Sequence, residues 1–399
     1  MADWKDIPII DIIDVIGGGT PKTSIPEYWN GNIPWLSVKD FNNGNRYVYS
    51  TEKHISKLGL ENSSTRLLEK DDIIISARGT VGEIAMIPFP MAFNQSCYGI
   101  RAKYGIDKVF LYYLLKQSIS TLKQLTHGSV FDTITRDTFT SLTVSIPSID
   151  VQKKIAKILS LIDDKIESNQ KLNDNLEQII RTIFKEKVTN NPLLEKMSKI
   201  PLSDLCLTVT KGTTPTTLGK PFIKKGINFI KAESISDDHS IDKNKFAFIN
   251  EETHKLLKRS VIKEGDIIFT IAGTLGRFAI IDKNILPANT NQAIAIIRTN
   301  IEKVLPEYIY ACLIGEWHTD YYTKRIQQAV QANLSLTTIK SLPIPLLNKN
   351  EMDDYLRIIV PIIKIIKENE VQNEKLSALK DSLLPKLMSG EINISAIHF

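Results

Sequence analysis

One pattern of residues occurs twice in this chain, in the same order and about 200 positions apart. A fold that must accommodate the same pattern twice is built from two copies of one unit, and self-similarity of this kind constrains architecture more than any local propensity. Ile7-Pro8 followed by Asp11 matches Ile200-Pro201 followed by Asp204. Gly19-Thr20-Pro21 resembles Gly212-Thr213-Thr214-Pro215, and Ile33-Pro34-Trp35-Leu36 resembles Ile227-Asn228-Phe229-Ile230. The longest match aligns Asp72-Ile73-Ile74-Ile75-Ser76-Ala77-Arg78-Gly79-Thr80-Val81-Gly82 with Asp266-Ile267-Ile268-Phe269-Thr270-Ile271-Ala272-Gly273-Thr274-Leu275-Gly276. Each reads as a buried strand followed by a glycine-containing turn. Asn94-Gln95 matches Asn291-Gln292, and the short helical pattern Phe110 to Leu115 matches Tyr308 to Leu313. Ser141-Leu142 and Ser341-Leu342 precede Pro-bounded exits at Pro147 and Pro345.

Each repeat therefore has two parts: a region of short β-rich runs broken by Gly, Pro, Asn and Thr, and then one long helix. From Val151 to Lys187 there is no Gly or Pro, and Asp150 stands where an N-cap carboxylate would accept from a first-turn N–H. Apolar residues at Ile155, Leu159, Ile162, Ile166, Leu176, Ile180 and Ile183 alternate spacings of four and three, the seam of a coiled coil, with Asn169 and Asn173 between them. The second helix, Glu351 to Ser389, carries Tyr355, Ile359, Ile362, Ile366, Leu376, Leu379 and Leu383, with Asn369 and Asn373 in the middle. Pro361 is expected to kink this helix or mark its true start, and Pro385 to shorten its last turn. Matched seams imply a pseudo-two-fold that makes the helices antiparallel, Asn169 facing Asn373 and Asn173 facing Asn369 to fix the register, or lying solvated at a loose crossing. Such a helix is about 54 Å long, with one globular domain expected at either end.

The expected fold class is α+β: two repeated β-rich domains joined by two long antiparallel coiled-coil helices. The boundaries fall at 1–149, 150–189 for the first helix, 190–348, and 349–399 for the second helix and tail. Residues 1–149 hold 15 Lys/Arg and 15 Asp/Glu, while residues 195–347 hold 20 and 15, so the second half carries the basic surplus of a chain whose net charge is +5. That excess permits nucleic-acid binding without demonstrating it. Cys97, Cys206 and Cys312 are far apart, which suits a reducing cytoplasm and no disulfide framework. The start Met-Ala-Asp-Trp-Lys-Asp is too acidic to be expected to act as a signal peptide, and no apolar run reaches the length expected of a membrane span.

Residues for catalysis are scarce. Asn190-Asn191-Pro192-Leu193 lacks the second proline and aromatic of an adenine methyltransferase motif and reads as a linker. Gly17-Gly18-Gly19-Thr20 lacks the Lys-Ser/Thr of a phosphate loop; it reads as a turn whose backbone approaches something closely, plausibly a phosphate. Asp71-Asp72 looks like a nuclease pair, but its repeat partner is Gly265-Asp266, so a solvated turn before a strand is the better reading. The histidines His54, His127, His239, His254, His318 and His398 are scattered, and no metal-binding spacing occurs, so no catalytic or metal site is expected.

DNA is the partner that suits polar loops after repeated strands, because base edges and phosphates are contacted by Arg, Lys, amides, hydroxyls and free backbone N–H groups. In the first domain the candidates are Thr20, Lys22, Ser37, Lys39, Arg78, Thr80 and Gln95. In the second they are Thr213, Lys224, Lys225, Lys231, Thr274, Arg277, Asn291 and Gln292. Lys324-Arg325-Ile326-Gln327-Gln328 and His127-Gly128-Ser129 are further candidates. Arg78 and Ala272 occupy the same repeat position, a difference that suits domains reading different bases.

Leu161-Ile162-Asp163-Asp164-Lys165-Ile166-Glu167 with Asn169-Gln170-Lys171-Leu172-Asn173 resembles the central conserved region of Type I restriction-modification specificity subunits. Leu383-Leu384-Pro385-Lys386-Leu387-Met388-Ser389-Gly390-Glu391-Ile392 resembles their C-terminal signature, and the Gly-Gly-Thr-Pro and Ala-Arg-Gly-Thr-Val-Gly stretches resemble their target-recognition domains. The resemblance implies a non-catalytic subunit that binds double-stranded DNA and two methyltransferase subunits. S-adenosylmethionine, ATP and Mg would then be bound by partner subunits, with restriction subunits in the full complex and a cytoplasmic, prokaryotic location. The competing expectation is a protein-binding scaffold that never touches DNA; an enzyme with an unfamiliar site is disfavoured because the repeats share no acid, base or nucleophile cluster.

Overall fold

The structure is a computed structural model and describes residues 4–41, 44–126, 133–326 and 333–394. The chain forms two compact units, one of residues 1–168 and 372–399, the other of residues 169–371. In the first, Ile13–Gly17, Cys97–Ala102, Ile73–Ser76 and Ile84–Met86 make an antiparallel sheet in that order. A second sheet orders Lys53–Ile55, Trp29–Leu36, Met91–Phe93 and Leu67–Leu68, its middle pair parallel. A ribbon joins Lys5–Pro8 to Thr143–Ile146.

The second unit repeats this strand for strand. Cys206–Lys211, Ile294–Thr299, Ile267–Thr270 and Phe278–Ile280 form one sheet. Ala247–Ile249, Ile227–Ile230, Ala288–Thr290 and Val261–Ile262 form the other, again with a parallel middle pair. The ribbon joins Lys199–Pro201 to Pro343–Pro345.

The runs of consecutive isoleucines follow from burial on both sheet faces. Successive side chains of a strand point to opposite faces. Ile73 and Ile75 pack in one cluster with Phe110 and Leu111 of the helix Lys108–Thr126, and Ile74 packs in another with Leu36 and Phe93. Ile267 and Phe269 separate from Ile268 in the same way. A strand covered on both sides has no polar face to show, so its sequence does not alternate.

The long helices span Ile149–Phe184, continued by a π-turn at Lys185–Thr189, and Lys349–Met388. Asp150 is not the N-cap: it lies inside the first turn. Pro361 neither starts nor ends the second helix, and Pro385 lies within it. Proline removes one helical hydrogen bond, and here the neighbouring turns are held by buried Tyr355, Ile359, Ile363 and Ile366. The buried seam differs from the heptad reading at two points. Ile363 is more deeply buried than Ile362, and Leu379 is 48% exposed. Ile162 is buried, while Ile166, Leu176 and Leu376 are half-buried.

Each unit contains part of both helices, and the seam can be described within each. In the second, Asn369 Nδ2 donates to Asn173 Oδ1 at 2.8 Å, and Asn173 Nδ2 donates to the Ile366 carbonyl at 3.3 Å. In the first, Lys380 Nζ reaches Asp163 at 2.6 Å. The second helix thus meets the first within each unit. Leu387 and Met388 are buried with Trp4 and Ile392 packed beside them, and Gly390 turns the chain at φ +73° against the Trp4 indole. The C-terminal signature thus closes over the start of the chain, with glycine at the left-handed position that ends many helices. Among the described residues no helix is long and apolar enough to cross a membrane.

Candidate nucleic-acid interface

Strands Trp29–Leu36 and Met91–Phe93 run parallel and paired at Leu36 and Phe93, so both end on the same side of the sheet. Their exits, Ser37 and Asn94-Gln95-Ser96, therefore emerge together, and Asn94 N donates to the Leu36 carbonyl at 3.0 Å. Two more loops are tied to the second exit. Gly19 N donates to Phe93 O at 3.0 Å, and Ala77 N to Ser96 O at 2.8 Å. The glycine run after Ile13–Gly17 approaches the chain itself closely. A Cβ on Gly18 would lie 2.1 Å from the Asn94 carbonyl oxygen, so only glycine lets the loops touch.

The second unit builds the same tip. Thr213 N donates to Thr290 O at 3.1 Å, Ile271 N to Ala293 O at 2.8 Å, and a Cβ on Gly212 would lie 2.1 Å from Thr290 O. Asn94 and Asn291 act as turn formers: their Oδ1 atoms accept from Ser96 N at 3.0 Å and Ala293 N at 3.1 Å. This leaves Gln95 and Gln292 exposed at the tip. The Thr20 hydroxyl donates to Gln95 Oε1, and the Thr214 hydroxyl to Gln292 Oε1.

That pairing corrects the repeat alignment, since Thr214, not Thr213, is the counterpart of Thr20. Thr213 instead corresponds to Gly19, and its hydroxyl accepts from Arg259 at 3.0 Å. The signal was present in the sequence: the offset of 194 that holds from Ile33/Ile227 to Asp72/Asp266, carried back to the first loop, puts Thr214 opposite Thr20.

Next to this pair lie the hairpin turns after Ile73–Ser76 and Ile267–Thr270. Gly79 and Gly273 adopt φ of +76° and +77°, and Gly82 and Gly276 adopt +88° and +85°. Arg78, Thr80 and Thr274 are exposed on these turns. Lys22 is exposed just past buried Pro21, and Lys39 on the short turn Val38–Asp40.

Other candidates are engaged elsewhere. Ser37 caps that turn, its N and Oγ both donating to Asp40 Oδ2 at 2.7 and 2.8 Å. Arg277 is held by Asp237 through Nε at 2.6 Å and Nη2 at 2.8 Å, with Nη1 on the Ile235 carbonyl at 3.0 Å. Lys231 pairs with Glu233 at 2.6 Å. Lys224 and Lys225 are exposed but enter strand Ile227–Ile230 at the end away from the tip. His127-Gly128-Ser129, Gln327 and Gln328 lie outside the described residues.

Asp72 does not sit in a solvated turn: it is buried and bound by Arg101 through Nε at 3.0 Å and Nη2 at 2.7 Å. Asp266 is bound by Arg298 through Nε and Nη2, both at 2.7 Å. These forks tie strands 73–76 to 97–102 and 267–270 to 294–299 at the strand ends away from each tip. Sequence reasoning missed them, although Arg101 and Arg298 are themselves repeat partners.

The central helix signature also has a structural task. Asp163 accepts from Lys380 and, at 2.6 Å, from the Tyr113 hydroxyl. Asp164 pairs with buried Arg46, which lies 4.0 Å from Glu167, and the Tyr49 hydroxyl donates to Glu167 at 3.2 Å. Burial, with Asp163 alongside, pushes the Tyr113 phenol well above its usual range. Among the described residues there is no cluster of three His, Cys, Asp or Glu side chains able to hold a metal.

Two α+β units with the same strand order, each carrying the same braced loop tip and sharing two long helices, define an internally duplicated protein. The sequence profile of the Type I restriction modification DNA specificity domain matches residues 1–178 and again 195–380, and the chain belongs to this family. It is 29% identical to the Type I restriction enzyme MjaIX specificity subunit of Methanocaldococcus jannaschii, over 99% of this chain and 95% of that one. It is 21% identical to the EcoBI specificity subunit of Escherichia coli, over 98% and 86%. The crystal structure of the Type I restriction-modification S subunit from M. genitalium has the same fold, with a TM-score of 0.56 at 18% identity, covering 97% of this chain and 96% of that one.

Proposed function

We propose that each unit reads one half of a bipartite duplex DNA target, and that the paired helices set the gap and dock two methyltransferase subunits. The observation that carries this reading is the twice-built tip. Its backbone and its Thr–Gln pair are common to both units, while the side chains around it differ, as Arg78 and Ala272 do. A common frame with variable surroundings suits two readers of different sequences.

The chain contributes no catalysis in this reading. S-adenosylmethionine is held by the methyltransferase partners, and ATP and Mg by restriction subunits where these join. Two readers in one chain also make energetic sense. Each wrong base pair costs ~1–3 kcal/mol, so one small domain discriminates poorly, and tethering makes the second contact intramolecular.

The test is co-expression with adjacent methyltransferase genes, followed by genome-wide mapping of methylated sites. Two short sequence elements at a fixed gap are expected. DNA affinity of the complex should fall steeply with salt, since phosphate contacts release counterions. A salt-independent complex with no DNA affinity would instead fit the protein scaffold.

A further inference from the structure

Two reading heads that recognise different bases must differ where they touch bases. Where they keep the same exposed chemistry on the same frame, they face something that both half-sites share, and the sugar–phosphate backbone is what every duplex shares. We propose that the Thr20–Gln95 and Thr214–Gln292 pairs, with Thr80 and Thr274 beside them, are backbone clamps that seat each unit on DNA, and that base choice lies with the unmatched neighbours. This rests on the DNA-reading proposal above.

The chemistry favours phosphate over a base edge. In each pair the threonine hydroxyl already donates to the glutamine Oε1. The exposed amide is thereby oriented with its N–H groups left to donate, and a phosphate oxygen only accepts. Bidentate reading of adenine needs Oε1 to accept a second bond, from the base, on its remaining lone pair, whereas a phosphate contact uses the N–H groups alone. The loops behind the pair are pinned by matching backbone bonds and by glycines at Gly18 and Gly212 that tolerate no side chain. The surroundings, by contrast, are unmatched at the 194 offset: Lys22 stands opposite Thr216, Lys39 opposite Glu233, and Arg78 opposite Ala272.

The variants Gln95→Glu and Gln292→Glu separate a clamp from a loop brace. A carboxylate still accepts from the threonine hydroxyl, so a brace survives, but it repels phosphate. The complex with its methyltransferase subunits is titrated with a duplex carrying the mapped target and with a scrambled duplex of equal length. Both variants are expected to weaken binding to both duplexes alike, on the order of two- to tenfold, with the methylated motif unchanged. Gln95→Ala should do the same without altering the salt slope, because a neutral side chain displaces no counterion. A changed base in one half-site would make the glutamine a base reader and overturn the proposal. Unchanged affinity for both duplexes would make the pair a brace and overturn it too. A wild-type complex without DNA affinity is a different result, and it removes the DNA-reading proposal itself.

Discussion

Lys380 Nζ lies 2.6 Å from Asp163 Oδ1, and both side chains are buried between the helices of the first unit. At the matching repeat positions of the second unit stand Ile180 and Ile363, both buried in one apolar cluster. One register position is thus filled by an ion pair in one unit and by hydrocarbon in the other. Removing one partner strands a buried charge, whereas replacing both with apolar groups is often neutral. Lys380→Met is therefore expected to destabilise the first unit by about 3 kcal/mol. The triple variant Asp163→Ile, Lys380→Ile, Tyr113→Phe should recover most of that loss. Urea denaturation of the three proteins checks this, and a triple variant as unstable as the single one would show that the pair itself holds the helices.

Arg78 is exposed on its turn, and its repeat counterpart is Ala272. Arg78→Ala is expected to relax one half of the methylated motif and leave the other intact, at a cost of ~1–3 kcal/mol for the affected base pair. Genome-wide methylation mapping reads this directly. An equal loss on scrambled DNA, with the motif preserved, would assign Arg78 to a phosphate instead.

The helix pair is expected to measure the gap. Inserting seven residues after both Asn169 and Asn369 keeps the 3.5-residue seam and lengthens each helix by about 10 Å. The two half-site sequences should persist while the preferred gap grows by about three base pairs. Altered half-sites at the old gap would refute a measuring role.

Two buried histidines give the second unit a pH dependence. His239 stacks on Phe278 at 3.9 Å, and His318 meets the same ring edge-on at 5.8 Å. Burial holds both imidazoles neutral, lowering each to about 4. The unfolded chain takes up these protons first, near 6.5, so stability falls as pH drops from about 6.5 towards 4. The loss is on the order of 2 kcal/mol per ring by pH 4.5. Glu177 acts oppositely: burial raises it to about 7, so its contribution is present at low pH and is lost as pH rises through that value. His318→Phe should flatten the acid limb of a plot of Tm against pH. An acid limb of unchanged steepness would place the titrating groups elsewhere.

Much of the fold was legible because it rests on local pattern. Ile73-Ile74-Ile75 and Ile267-Ile268-Phe269 read as buried strands, and the seams of both long helices read as paired coils. Pro361 does not mark the start of its helix because its penalty is local, while the contacts that hold the turns on either side are tertiary. Asp72 misled for a similar reason: its partner Arg101 is distant in sequence and reaches it only through strand pairing.

The amino-acid sequence alone determined the duplication, the two helices and the polar loops after matched strands, since periodicity and turn chemistry act within a few residues. The tertiary structure decided which polar side chains are free. Arg78 and Arg277 carry the same charge on the corresponding hairpins, at opposite ends of the turn, yet one is exposed and the other is locked onto Asp237. A side chain's availability depends on what folds up beside it, and that neighbour is set by long-range packing rather than by the residues on either side.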